Sequence, residues 1–220
     1  MGKLIVIEGL DGSGKATQSK LLYEELQKRG IKTKMVTFPD YESNSSALVK
    51  MYLSGEFGSK AGDVNAYAAS SFFAVDRYAS FKAKWEGLYK EGYVIIADRY
   101  TTSNGVHQCS KLPPKEWRQF MDWLYDFEYN KIGIPKPDCV VYLDMSLPVS
   151  QKLLSKRYAG DESKKDIHEK DREYLAASRR AADFCIEHDG WIKISCDDGI
   201  EPLSIEKITQ NVMEKITEIL

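Results

Sequence analysis

Gly9-Leu10-Asp11-Gly12-Ser13-Gly14-Lys15 follows the apolar run Leu4-Ile5-Val6-Ile7 and opens a helix-like segment, Ala16 to Arg29. A strand, a glycine-rich turn and a helix in that order match the phosphate-binding loop G-x-x-x-x-G-K. In that loop the glycines let backbone N–H groups curl around phosphate oxygens and the lysine reaches the outer phosphates. The implied ligand is a nucleotide. The motif ordinarily continues with Ser or Thr, whose hydroxyl ligates magnesium, but here Lys15 is followed by Ala16 and then Thr17.

Working outward, the uncharged run Leu4 to Ile7 is what a strand needs when helices cover both faces of a parallel sheet. The following helix carries Leu21, Leu22 and Leu26 and stops near Arg29-Gly30, where glycine supplies the stop. Lys34 to Phe38 reads as a second strand closed by Pro39-Asp40. The Ser-rich stretch Ser43 to Ser46 then leads into a short helix ending around Tyr52-Leu53. The spacing of Ala, Phe, Tyr and Trp predicts one long helix over Val64 to Tyr89, with Phe72, Phe73, Asp76 and Arg77 near its middle.

A second chemical stretch closes the apolar strand Tyr93 to Ala97 with Asp98-Arg99-Tyr100. In a phosphate-loop protein an acid at a buried strand end can hold magnesium directly or through water, and an adjacent arginine can bridge phosphates. A buried ion pair is the competing reading. Pro113-Pro114 starts a helix to about Tyr129 whose Trp117, Phe120, Trp123, Leu124 and Phe127 read as core or subunit interface. Cys139 to Asp144 is a further strand, and Pro148 opens a helix to about Arg157. The charged run from Arg157 to Lys170 is either a solvated loop or a flap that brings Arg157, Lys164 or Lys165 over a phosphate chain. A helix from about Ile167 to His188, a strand Trp191 to Ser195 and an amphipathic helix from Ser204 to Leu220 complete the chain. This alternation predicts an α/β fold with a five-stranded parallel sheet, helices on both faces and a ligand across the carboxyl ends of the strands.

At 220 residues the chain fits a single domain. With 31 basic and 33 acidic residues the net charge of -2 provides no sequence-wide attraction to nucleic acid or to a membrane surface. Cys109, Cys139, Cys185 and Cys196 are scattered without metal-ligand spacing and read as reduced thiols. With no membrane span and no signal-peptide pattern, the expected location is the cytoplasm.

The ordered motifs resemble the thymidylate kinases, which are P-loop nucleoside monophosphate kinases. The resemblance rests on Glu8 to Gln18, Phe38-Pro39-Asp40, Phe73 with Arg77, Asp98-Arg99-Tyr100 followed by Ser103 and Gln108, Leu143-Asp144 and the charged flap. It implies a three-layer kinase fold, a single domain over residues 1–220 with a mobile lid at about 156–170, and a homodimer packed through helices. It also implies phosphoryl transfer from ATP to dTMP with Mg2+, giving dTDP and ADP in dTTP synthesis. By the same resemblance, Gly9, Leu10, Asp11, Gly12, Ser13, Gly14, Lys15, Ala16 and Thr17 bind ATP, and Asp11 also sits near the acceptor sugar. Phe73 stacks on thymine and Arg77 hydrogen-bonds its edge. Phe38, Tyr41, Ser103, Asn104 and Gln108 line the acceptor pocket, and His107 is a pocket wall. Arg99 bridges the phosphates, Asp98 organises the metal, and Lys15, Arg99, Asp98 and Arg157 form the catalytic set.

The chain departs from the family pattern at Ala16, at Tyr41, where an arginine often grips the acceptor phosphate, and at Gly12, where one branch carries an arginine. Glycine there assigns the extra cation to the flap. Two other readings stay open on these residues: a kinase for another deoxynucleotide or nucleoside, which Tyr41 allows, and a catalytically silent nucleotide-binding protein, which Ala16 allows.

Overall fold

The computed structural model describes residues 1–157 and 172–220, with the Arg157 and Arg172 side chains left out. The lid interval beyond residue 157, including Lys164 and Lys165, and the expected helix start at Ile167 lie outside the described residues. Strand β1 (Lys3–Glu8) leads through the glycine-rich loop into helix α1 (Lys15–Lys28) and on to β2 (Thr33–Thr37). Helix α2 (Ala47–Leu53) precedes α3 (Ala66–Ser80), α4 (Glu86–Lys90) and β3 (Val94–Asp98). Then follow α5 (Thr101–Cys109), α6 (Trp117–Tyr125), β4 (Cys139–Asp144), α7 (Leu147–Arg157), α8 (Arg172–Asp189), β5 (Ile192–Ser195) and α9 (Ile205–Thr217).

The strands pair in parallel in the order β2-β3-β1-β4-β5, the five-stranded sheet expected from the alternation. The unbroken apolar character of β1 has a direct cause. Ile5 and Ile7 pack on one face with Leu22 and Leu26 of α1 and Val212 and Ile216 of α9. Leu4 and Val6 pack on the other face with Phe81, Trp85 and Tyr100. All four β1 residues are fully buried, and each contributes roughly 1.5–3 kcal/mol of transfer free energy. A further cluster joins Val106 of α5, Phe120 and Leu124 of α6 and Cys185 of α8 to Tyr142 of β4.

The register positions the site. Ile7 lies level with Asp98 across β1 and β3, and Thr37 lies level with the same Asp98 across β2 and β3. The chain therefore leaves three neighbouring strands at one height, through Glu8-Gly9, Asp98-Arg99 and Thr37-Phe38.

The single long helix expected over Val64 to Tyr89 forms a continuous helical path with an interruption. It starts at Ala66, where the Asn65 side chain accepts from Ala68 N, and a π-helical turn at Phe81–Trp85 separates α3 from α4. The widened turn brings Phe81 and Trp85 into edge contact at 4.7 Å, both buried against the sheet. Likewise α6 runs on through a π-helical segment, Asp126–Ile132, ending at Gly133 in the left-handed region rather than near Tyr129. α8 and β5 match the expected helix and strand within the described residues. All four cysteines are free and buried.

Gly105 marks where α5 fits between its neighbours, since a Cβ there would stand 2.9 Å from Met121 Sδ and 3.2 Å from Cys185 Sγ. Gly105→Val should overpack this contact and destabilise the fold by about 1–3 kcal/mol. Equilibrium urea unfolding checks this, with Gly105→Ala losing less because the Met121 tip can move.

Candidate active site

The loop after β1 turns because two of its glycines cannot be replaced. Gly9 has φ 153° and Gly12 has φ 82°. A Cβ would lie 2.4 Å from Ser13 Oγ at Gly9 and 2.6 Å from Ser150 O at Gly12. The contact at Gly12 leaves no path for a side chain, which is a steric reason for the absence of an arginine there. Ser13 N donates to Leu10 O at 3.2 Å and closes the loop. Lys15 Nζ donates to the same carbonyl at 2.9 Å and stands 3.9 Å from Asp11 Oδ1. Burial lowers the Lys15 ammonium, the nearby Arg99 lowers it further, and the charges of Asp11, Asp98 and Glu8 restore part of the loss, leaving it at about 8.

The end of β3 supplies the second cation. Arg99, at φ 66°, is the one non-glycine residue with positive φ among those described. Such a conformation costs on the order of 1–3 kcal/mol and is held by its surroundings. Arg99 N donates to Ile7 O at 3.1 Å, so the backbone is tied to β1. The guanidinium donates to Asp11 Oδ1 and to Ser103 Oγ, and its Nη1 lies 3.3 Å from His107 Nε2. Burial would lower this group, but Asp11, Glu8 and Asp98 raise it on balance, so it stays charged.

Glu8 anchors the arrangement. It is 1% exposed and accepts from Thr102 Oγ1 and Ser103 Oγ, both at 2.7 Å, and from Tyr100 N and Gly9 N. One carboxylate thereby pins the phosphate loop to the start of α5.

A cleft of about 440 Å³ opens beside this loop and past the end of β3. Asp11, Gly12, Gly14, Lys15 and Ala16 line it at one end, Asp98 and Arg99 in the middle, and Phe38, Tyr41, Phe73, Arg77, Ser103, Asn104, His107 and Gln108 further along. Most of the sequence-derived set therefore meets in one space. Gly9 and Ser13 shape the loop without lining the cleft, Leu10 packs its side chain into the core beside Val106, and Thr17 is exposed on α1 outside the cleft. Arg157 ends α7, and its side chain lies outside the described residues.

The cleft wall has uneven character. Phe73 sits edge-on to Tyr52 at 6.2 Å. Gln108 is fully buried, and neither end of its amide has a hydrogen-bond partner among the described residues. A buried amide left this way suits a polar ligand. Arg77 is 1% exposed and its fork is taken by Glu128, with Nε to Oε2 at 2.7 Å and Nη2 to Oε1 at 2.5 Å. Tyr41 stands on the rim, exposed. Asp144, at the end of β4, is held by Arg179 and Lys193 in a separate ionic network.

Three acids that support the cleft were not among the sequence-derived site residues. Glu8 ends an apolar run before a glycine, the same signal that marks Asp98. Asp76 accepts from Asp40 N at 2.8 Å and Ser45 Oγ at 2.6 Å, fixing the turn after β2. Only its position beside Arg77 pointed to it. Glu128 falls on the apolar stripe of Phe120 and Leu124, where a lone charge in a hydrophobic face was the available clue.

A phosphate-binding loop at the end of a central parallel strand, facing the half-buried Arg99 in one cleft, has the architecture of a P-loop phosphotransferase. The family model described as thymidylate kinase matches residues 7–202. Among curated relatives, the thymidylate kinase of Caenorhabditis elegans is 32% identical over 158 residues, 68% of this chain and 66% of that protein. The thymidylate kinase of Mycobacterium tuberculosis is 31% identical over 172 residues, 77% of this chain and 79% of that protein. The solved structure of Candida albicans thymidylate kinase superposes with a TM-score of 0.73 over 99% of this chain and 92% of its own, at 24% identity, and so shares the fold. The chain belongs to the thymidylate kinase family.

The depressed Lys15 sets a pH dependence. Below about 8 the ammonium is charged and ready for phosphate; above that it must take up a proton to pair with the anion. Affinity for ATP should therefore weaken as pH rises from about 8 to 10, with proton uptake on binding. Calorimetry in buffers of different ionisation enthalpy checks both, and Lys15→Met should bind weakly at every pH without that slope.

Proposed function

We propose that the chain transfers the γ-phosphoryl group of ATP to the 5′-phosphate of dTMP, giving dTDP and ADP. Family membership supports the reaction and its two nucleotide substrates. The observation that carries the reading is that Lys15 and Arg99 converge on Asp11 at the phosphate-loop end of a single cleft that Phe73 and Arg77 also line.

Phosphoryl transfer between two anions is slow chiefly because they repel and must be aligned in line, so positioned cations do most of the work. On this reading Lys15 and the loop amides hold the donor phosphates and Arg99 bridges donor and acceptor. Both cations already meet the carboxylate of Asp11, and entering phosphate oxygens exchange with it. The acceptor phosphate is anionic at neutral pH and needs no strong general base. Arg157, with Lys164 and Lys165 in reserve, supplies the cation of a lid at about 156–170. Phe73 stacks on the base, Arg77, Asn104 and Gln108 read its edge, Phe38 and Ser103 close the pocket, and Tyr41 reaches the acceptor phosphate from the rim.

Among the described residues no group of three metal-ligating side chains gathers. The donor set nevertheless suits Mg2+: the buried Asp98 carboxylate lies in the cleft, and phosphate and water oxygens complete a hard-oxygen shell. Bound there, the ion would neutralise phosphate charge, with no hydroxyl contributed at Ala16. No described helix is long and apolar enough to cross a membrane. A homodimer is supported by the exposed face of α3, where Tyr67, Val75 and Tyr78 are 40%, 51% and 42% accessible and Tyr67 meets Trp123 at 4.6 Å.

An acceptor panel in a coupled ADP-release assay, with and without Mg2+, tests the assignment. Turnover is expected with dTMP above other monophosphates. Arg99→Ala and Lys15→Ala should each lower kcat by about 10³-fold or more, and nucleotide binding without transfer in the unmodified protein would sink the reading.

A further inference from the structure

Glu128 lies outside the cleft, fully buried, in the π-helical segment after α6, a local geometry that often marks functional positions. Its two oxygens take both parallel bonds of the Arg77 fork, Nε at 2.7 Å and Nη2 at 2.5 Å. They also accept from Thr101 Oγ1 at 2.8 Å and Asn104 Nδ2 at 3.4 Å. Arg77 and Asn104 both line the cleft, so one buried carboxylate stands behind two adjacent polar wall groups.

The chemistry of these bonds fixes what the wall presents. A carboxylate and a carbonyl only accept, so Asn104, held between Glu128 and Ser70 O, must direct its NH₂ at both. What remains for the cleft is the Oδ1 acceptor. Arg77 gives Nε–H and one hydrogen of Nη2 to Glu128, and its Nη1 reaches Tyr100 O at 3.5 Å with one of two hydrogens. What remains is donor capacity only, the second hydrogens of Nη1 and Nη2. A donor beside an acceptor complements a pyrimidine edge carrying a 4-oxo group and an N3–H, and mismatches a 4-amino edge with a bare N3.

We propose that Glu128 is a positioning residue for base discrimination, orienting Arg77 and Asn104 so that the cleft favours 4-oxo over 4-amino pyrimidine nucleotides. The inference rests on the reading of this end of the cleft as the acceptor-base site. Burial lowers the Arg77 guanidinium, and Glu128, with smaller contributions from Tyr100 and Tyr129, raises it on balance.

The test is the ratio of kcat/KM for dTMP over dCMP, with KM for ATP and a thermal melt as controls. In Glu128→Gln the side-chain amide can donate, so the Arg77 fork loses its enforced orientation and Asn104 is oriented by Ser70 O alone. The ratio should fall about tenfold or more, chiefly through KM for dTMP, with KM for ATP nearly unchanged. Should that variant fail to fold because Arg77 is left unpaired, Glu128→Asp keeps the charge but is one methylene too short to hold both partners, and the same fall is expected.

An unchanged ratio in a folded variant, or equal losses for dTMP, dCMP and ATP, would overturn the proposal. The double variant Arg77→Gln with Asn104→Ala separates the two levels. If it leaves the ratio intact, the base-site reading itself is wrong and the role of Glu128 falls with it. If it lowers the ratio while both Glu128 variants do not, the role of Glu128 alone is lost. Adding Glu128→Gln to the double variant should cost no further discrimination, and an additional drop counts against action through these two residues.

Discussion

The parallel pairing of β1 with β3 is the constraint on which the site depends. It sets Ile7 level with Asp98, and the next residue on each strand begins the chemistry: Glu8 before the phosphate loop, Arg99 before α5. Arg99 N bonds back to Ile7 O, so the arginine cannot drift from the loop it faces. A slip of one residue would turn each side chain to the opposite face of the sheet, sending Glu8 and Asp98 away from the cations they balance. The strands hold this register because both faces of β1 are buried in apolar clusters on either side of the sheet.

Around that frame the molecule concentrates charge in a place of low dielectric. Lys15 and Arg99 are buried or nearly so, and repel each other, while Glu8, Asp11 and Asp98 lie close enough to offset the repulsion. The arrangement is poor for stability alone, since burying charges carries a desolvation cost that pairing only partly recovers. It suits phosphoryl transfer, where fixed cations act on developing charge without reorganising at the moment of reaction. The left-handed Arg99 and the glycines of the loop fit the same account, with local strain carried by a rigid sheet. At the other end of the cleft the balance is different in kind. Glu128 takes the Arg77 fork out of sight of the cleft, whereas Asp11 pairs with Lys15 and Arg99 within the cleft wall.

Much of this was legible in the chain itself, because the relevant signals are local. An apolar run bounded by glycine or by Asp-Arg reads as a buried strand with a functional end, and the loop spacing reads as phosphate binding without knowledge of any partner. The bounds of most expected helices were legible to within about a turn among the described residues, but helix α5 (Thr101–Cys109) and the π-helical segments were not. The π-helical segments arise where Phe81 and Trp85, or Glu128, must face a particular neighbour, and that demand comes from across the fold. The dual supporting role of Glu8 was hidden for a related reason: an acid before a glycine is visible, but its partners Thr102 and Ser103 lie 94 and 95 residues further on.

Sequence by itself determined the α/β class, the strand order of events along the chain and the phosphate loop, since each follows from periodicity and short-range backbone sterics. Only the tertiary structure decided how the charges at the two ends of the cleft are paired. Gly9 to Lys15 could be recognised as a phosphate loop before any fold was known. That Asp11 meets Arg99, that Gly12 has no room beside Ser150, and that Arg77 pairs with Glu128, are facts of distance between residues far apart in the chain. Such distances are set by packing and register, and no local pattern encodes them.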